Sequence, residues 1–200
     1  MNHKELWNFI RIKKNTSKLL FIHTPKCSGT YTNKILYDLK IINKDLPSNR
    51  KNHIPANGDE KEITFTIIRN PVDRFESLLN FRLGIEIFED WPKHLHYIYN
   101  NKNISLNEIV DKMSDDEILS FTPYKSLLYW TKNVDIIITI ERLEEFLNFF
   151  GYFYDNNKYK KENVSVKSRG IFNNEVKNRI SNLYYYDVLL YNKIKNSTFV

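Results

Sequence analysis

Two short stretches of this chain place charged residues where a multiply charged anion could be held. In the first, LLFIHTPKCSGTYTNKIL (Leu19–Leu36), a lysine sits in a polar turn between an apolar run of strand length, Leu19–His23, and a helix start near Thr30. Such a turn aims backbone N–H groups outward, and the helix behind it adds unpaired donors and the positive end of its dipole, which together suit a phosphate or sulfate. Pro25 holds Thr24 extended, and Gly29 has no side chain to keep an anion at a distance. Lys26 adds a full positive charge and Thr30 a hydroxyl. Turn geometry and capping alone would also account for Gly29 and Thr30. Two other anion loops are excluded: the nucleotide P-loop places its lysine after the second glycine, whereas Lys26 precedes Gly29, and a cysteine-phosphatase loop would need arginine at the position of Asn33.

The second stretch, ITFTIIRNPVDRFESLLNFR, runs from Ile63 to Arg82. Ile63–Ile68 has the β-branched and aromatic composition of a buried strand, and Arg69 follows it directly. Asn70 reads as an N-cap, with Pro71 at the first helical position and Asp73 in the first turn. Arg69 thus stands at the carboxyl end of a strand, where open α/β sheets bind ligands. Along the helix, Asn70, Arg74 and Ser77 share one face, while Val72, Phe75, Leu79 and Leu83 share another. A capped core helix explains Asn70, Pro71 and Asp73 but not an arginine where the strand ends.

These two stretches are positioned by a regular alternation. A third buried strand is expected over Val134–Ile140, followed by Glu141, Arg142 and a helix over Leu143–Phe150 closed by Gly151. Three strands alternating with helices imply an α/β fold, a single domain over 1–200 whose parallel sheet is flanked by helices on both faces. A first helix is expected over Tyr31 to about Ile42, an amphipathic helix over Met1–Lys18, and capping boxes at Ser105–Glu108 and Ser114–Glu117. Val176, Ile180, Leu183, Tyr184 and Tyr191 fit one helical face, which assigns the tyrosines to the core.

Taken together, the two stretches resemble the sulfotransferase superfamily, in particular the carbohydrate branch that uses 3′-phosphoadenosine 5′-phosphosulfate (PAPS). FIHTPKCSGT is similar to that family's 5′-phosphosulfate loop, and IIRNPVDRFESL to its 3′-phosphate motif, in the same order and at about the same separation. The resemblance implies a P-loop-kinase-like sulfotransferase fold. It also implies in-line transfer of a sulfuryl group from PAPS to an acceptor hydroxyl, on a glycan by preference, with no obligatory metal. Lys26 would stabilise the departing phosphate oxygen, and the turn Pro25, Lys26, Cys27, Ser28, Gly29, Thr30 and Tyr31 would hold the 5′-phosphate. Arg69 and Ser77 would hold the 3′-phosphate. A looser match in NVSVKSRGIF makes Lys167, Ser168 and Arg169 further nucleotide contacts, although Val166 stands where the family has asparagine.

A hydroxyl acceptor calls for a base. His53, in the polar segment between the motifs, matches the position of a base in part of that branch; Asp59, Glu60 and Glu62 are rivals, and a turn-capping role for His53 stays open. His23 is assigned to packing of the loop. The segment with Phe88, Trp91, His94, His96, Tyr97 and Tyr99 is suited either to stacking on sugars or to a core.

Composition bounds the alternatives. With 42% hydrophobic and 14% aromatic residues the chain is not a disordered one, and a net charge of +6 favours polyanionic partners. The single cysteine rules out an internal disulfide framework. No apolar run is long enough for a transmembrane segment and no signal-peptide core is present, which suggests a cytoplasmic protein. Two other readings remain beside the enzyme: a non-catalytic nucleotide- or glycan-binding module, and a nucleotide-kinase-like phosphotransferase. A nucleic-acid partner is not expected, because the positive charge forms no stripe or known motif.

Overall fold

The computed structural model describes residues 3–41, 54–84, 93, 96, 103–120, 125–153 and 169–197. Its described elements are α1 (His3–Lys14), β1 (Leu19–Ile22), α2 (Gly29–Asp38), β2 (Ile63–Ile68), α3 (Pro71–Gly84), α4 (Leu106–Lys112), α5 (Asp115–Ser120), α6 (Leu127–Thr131), β3 (Ile136–Thr139), a 3-10 turn (Ile140–Arg142), α7 (Leu143–Phe149), α8 (Asn174–Leu183) and α9 (Tyr185–Lys195). This is an α/β protein with a parallel sheet in the order β1-β2-β3. Two compact units are distinguished within the chain, one of Met1–Arg69, Leu127–Asn163 and Leu189–Val200, the other of Asn70–Ser126 and Val164–Val188.

The first unit holds the sheet. Its registers pair Ile22 with Thr66 and Ile68 with Thr139, so β2 and β3 end level and β1 ends two residues earlier. All six residues of β2 are buried, as its unbroken apolar and threonine composition requires of a central strand. Alternation then assigns the two faces. Phe65 and Ile67 pack with Phe21, Ile138, Ile35 and Leu36 of α2, and Leu143, Phe146 and Leu147 of α7. On the other face Ile68 packs with Cys27, Leu127 of α6 and Tyr191 of α9. Helices therefore cover both faces, as the sequence implies. Trp7 of α1 meets Phe150 edge-on with ring centroids 4.4 Å apart.

The second unit is helical. Val72, Phe75, Leu79 and Leu83 of α3 enter one core with Leu106, Ile109, Phe172, Val176, Ile180 and Tyr184. Both capping boxes form: Ser105 Oγ accepts from Glu108 N while Glu108 Oε2 accepts from Ser105 N, and Ser114 and Glu117 repeat the pattern. Arg74 is not on a solvated face but wholly buried, donating to the Lys125 carbonyl at 2.9 Å. Asp187, also buried, accepts from Ser126 Oγ at 2.5 Å.

Three expectations shift. Helix α2 ends at Asp38 rather than near Ile42, because Lys40 turns left-handed at φ 57° and Ile41 N donates back to the Leu36 carbonyl. The amphipathic start is helical only to Lys14, closed by a left-handed Asn15. The tail helix breaks at Tyr184, so Tyr184 joins the second unit's core and Tyr191 the first unit's. Of the aromatic segment near Trp91, only His96 lies within the described residues. No described helix is long and apolar enough to cross a membrane.

Candidate functional site

The turn after β1 is pinned to the sheet from below. Thr66 Oγ1 donates to the Ile22 carbonyl at 2.7 Å, so the 2.8 Å contact between Thr24 and Thr66 hydroxyls must use the Thr24 proton. Both threonines are fully buried. Cys27 N closes the turn on the Thr24 carbonyl, and the Cys27 side chain points into the apolar cluster with Ile68 and Tyr191. Cys27 therefore positions the loop as a small apolar side chain, consistent with the absence of a phosphatase arginine.

Above this anchor the backbone is bent in a way that side chains resist. Lys26 has φ 60° and Ser28 φ 64°, both left-handed, while Cys27 between them does not. Left-handed conformations in residues with a Cβ carry a cost of about 1 kcal/mol or more and gather where a loop is shaped for a ligand. Left-handed residues alternating with others are the backbone conformation of an anion-binding nest, although here the Cys27 amide is taken by the Thr24 carbonyl. Ser28 occupies the N-cap of α2, yet its side chain caps nothing. The first amides of α2, including those of Gly29 and Thr30, are left without intrahelical acceptors.

Gly29 is required here for space. A Cβ at this position would land inside the His23 imidazole, so the ring lies flat against the glycine and fills the inner side of the turn. His23 thus packs the loop, as its place at the strand end suggests, and stacks on Phe21 with ring centroids 6.0 Å apart.

Two cations meet at this edge. Lys26 and Arg69 are both half-buried, one after β1 and the other after the adjacent β2. Burial pushes the Lys26 amine down from 10.5 to about 8, and the nearby Arg69 guanidinium adds to the shift. The Arg69 guanidinium is therefore close enough to disfavour the charge on Lys26. A phosphate or sulfate bound beside them would add attractions that offset that repulsion.

The remaining residues of the expected site fall as follows. Pro25 and Gly29 are buried, Ser28 and Tyr31 half-buried and Thr30 exposed; Tyr31 also packs against the sheet cluster. Ser77 is half-buried on α3, and Arg169 lies in the turn before α8, where its carbonyl accepts from Leu106 N; both belong to the second unit. His53, Lys167 and Ser168 lie outside the described residues.

The rival carboxylates are placed elsewhere. Asp59, Glu60 and Glu62 precede β2, whereas Arg69 follows it, and six strand residues separate the two ends by about 20 Å. Glu60 is occupied there, accepting from Asn57 N and Gly58 N at 2.9 Å each. A different carboxylate emerges at the carboxyl edge. Glu141, in the turn after β3, accepts from the Tyr191 hydroxyl at 3.1 Å. Sequence reasoning leaves this pair unconnected, because helical periodicity reports only that Tyr191 is buried, not which strand end its hydroxyl meets. Among the described residues no three His, Cys, Asp or Glu side chains gather as a metal site would require.

No protein-family model matches the chain, and neither a curated protein nor a solved structure matches it.

Proposed function

We propose that this protein is a sulfotransferase that takes a sulfuryl group from PAPS and delivers it to an acceptor hydroxyl, with a carbohydrate as the acceptor class. One observation carries the reading: Lys26 and Arg69, forty-three positions apart by subtraction of their numbers, stand side by side at adjacent strand ends, over a left-handed turn and an uncapped helix start. Two like charges in half-buried surroundings disfavour each other, and an anionic ligand bound beside them would offset that cost.

In this reading the loop amides hold the 5′-phosphate, and Lys26 faces the oxygen that gains negative charge as the sulfur leaves it. Arg69 holds the 3′-phosphate, for which a planar, permanently charged guanidinium is better suited than lysine. Positioning and preorganised charge then supply most of the rate enhancement. The particular choice of PAPS over another nucleotide rests on the likeness of the two motifs to the sulfotransferase pattern.

Calorimetry with 3′-phosphoadenosine 5′-phosphate, ATP and a short oligonucleotide tests the reading. The first should bind most tightly, and Arg69→Ala should remove that preference. Equal or tighter binding of ATP would redirect the assignment to a phosphotransferase, and oligonucleotide binding alone would end it.

A further inference from the structure

Three charged residues follow the strands at the carboxyl edge of the sheet: Lys26 beyond β1, Arg69 beyond β2 and Glu141 beyond β3. Neighbouring strands lie about 4.8 Å apart, so the chain following β3 leaves the sheet about 10 Å from the chain following β1. The Ile68–Thr139 pairing ends β2 and β3 level, and β1 ends two residues earlier, at Ile22 opposite Thr66, so Lys26, Arg69 and Glu141 all follow the carboxyl ends of strands on one rim. That separation leaves room for a transferring group and the hydroxyl that attacks it.

The hydrogen bond to Glu141 is a choice, not a necessity of burying a tyrosine. Tyr184 meets the same need by donating to a backbone carbonyl, that of Ile118, at 2.8 Å. Tyr191, which is buried in the cluster with Cys27 and Ile68, instead spends its proton on the side chain of an exposed residue. This hydrogen bond engages one carboxylate oxygen, Oε1. Among the described residues Oε2 accepts no hydrogen bond. The adjacent cation, Arg142, is directed to Glu145 at 2.8 Å and to the Ile194 and Ser197 carbonyls.

We propose that Glu141 is the general base of the transfer, oriented by Tyr191. The inference rests on the sulfuryl-transfer reading above. The acceptor O–H gives its proton to Glu141 Oε2 as its oxygen forms a bond to sulfur. The bond from sulfur to the bridging oxygen breaks, and its electron pair stays on the 5′-phosphate oxygen that faces Lys26. Tyr191 is a positioning residue in this scheme; it touches the base and not the substrate.

The test uses the full chain and three variants, Glu141→Gln, Glu141→Ala and Tyr191→Phe. Affinity for 3′-phosphoadenosine 5′-phosphate is measured by calorimetry. Turnover is followed as release of that nucleotide from PAPS, with desulfated chondroitin and with water as acceptors. Both Glu141 variants should bind the nucleotide within about twofold of the wild type while kcat falls by about 10²–10⁴, the range for loss of a positioned base. Formate should restore at least about tenfold to Glu141→Ala and nothing to Lys26→Ala, because it replaces a missing carboxylate only. Tyr191→Phe should lower kcat by less than Glu141→Gln does and leave nucleotide affinity unchanged. Unchanged turnover in Glu141→Gln, a parallel loss of nucleotide affinity, or a wild-type protein that binds the nucleotide but consumes no PAPS would each overturn the assignment of Glu141. A wild-type protein that fails to bind the nucleotide would instead overturn the sulfotransferase reading beneath it.

Discussion

Lys14 and Lys26 stand at opposite ends of the same parallel sheet and are treated in opposite ways. At the amino edge, Lys14 Nζ lies 2.6 Å from Asp135 Oδ2 and also donates to the carbonyls of Glu60 and Glu62. Asp135 in turn accepts from both the amide and the hydroxyl of Thr64 at 2.8 Å. Burial pushes the Asp135 carboxyl up, but the hydrogen bonds from Lys14 and Thr64 outweigh it and hold the carboxyl below its usual range. At the carboxyl edge, Lys26 is backed by a second cation and its own charge is disfavoured. At one edge hydrogen bonds outweigh burial, and at the other burial and a neighbouring cation act in the same direction. The difference teaches that the two ends of one sheet can treat a half-buried lysine in opposite ways, and the proposed function uses the end where burial disfavours the charge.

The strongest way to break this contrast is to remove the charge at the carboxyl edge and watch the chemistry. Lys26→Ala should lower PAPS turnover by about 10²–10³, the cost of losing one preorganised donor. Full activity in a coupled nucleotide-release assay would mean that Lys26 has no such part.

Next in size is the loop itself. Gly29→Ala forces a methyl into the His23 ring, so the turn must open or the histidine must leave; a loss of about 1–3 kcal/mol is expected in urea unfolding, as for other overpacked sites. Nucleotide binding should vanish with it. A variant that kept wild-type stability and affinity would show that the close approach of His23 to the loop is dispensable.

Asp135→Ala probes the other edge. It removes the partner of Lys14 and the acceptor of two Thr64 hydrogen bonds, and should cost about 2 kcal/mol in the same unfolding measurement. Nucleotide affinity should not change, which is the outcome that separates a clasp from a site.

The smallest effect has the opposite sign. Lys26→Gln should raise the stability of the ligand-free protein at pH 7, by up to about 1 kcal/mol once the shift is discounted for solvent screening of a half-exposed group. The folded amine titrates near 8 and the unfolded one near 10.5. Between those values the unfolded state holds more protons, so wild-type stability should climb as pH rises from 8 toward 10.5 and the advantage of the variant should fade. Saturating 3′-phosphoadenosine 5′-phosphate should reverse the order of the two proteins. Thermal denaturation across that pH range, with and without the nucleotide, reads all three effects.

Local chemistry wrote much of this fold plainly. Ile63–Ile68 reads as a strand with its observed ends because no polar residue interrupts it and Asn70 caps the helix behind, its Oδ1 accepting from Val72 N at 2.9 Å. The capping boxes at Ser105 and Ser114 were legible because both partners lie within four residues of each other. The end of α2 was not, since Lys40 takes up a left-handed conformation usually marked by glycine. The break at Tyr184 was hidden for a related reason: periodicity continues through Tyr191, but two different cores claim the two tyrosines.

The candidate site divides along the same line. The sequence by itself determined that a lysine follows one buried strand and an arginine another, because strand composition and strand ends are properties of neighbouring residues. Only the tertiary structure decided that β1 and β2 are adjacent, that burial and the nearby Arg69 lower the preference of Lys26 for its charge, and that Tyr191 reaches across to Glu141. Those facts depend on which distant segments share an edge of the sheet. Coulomb interactions and hydrogen bonds act over a few ångströms of space, and separation along the chain does not report that distance.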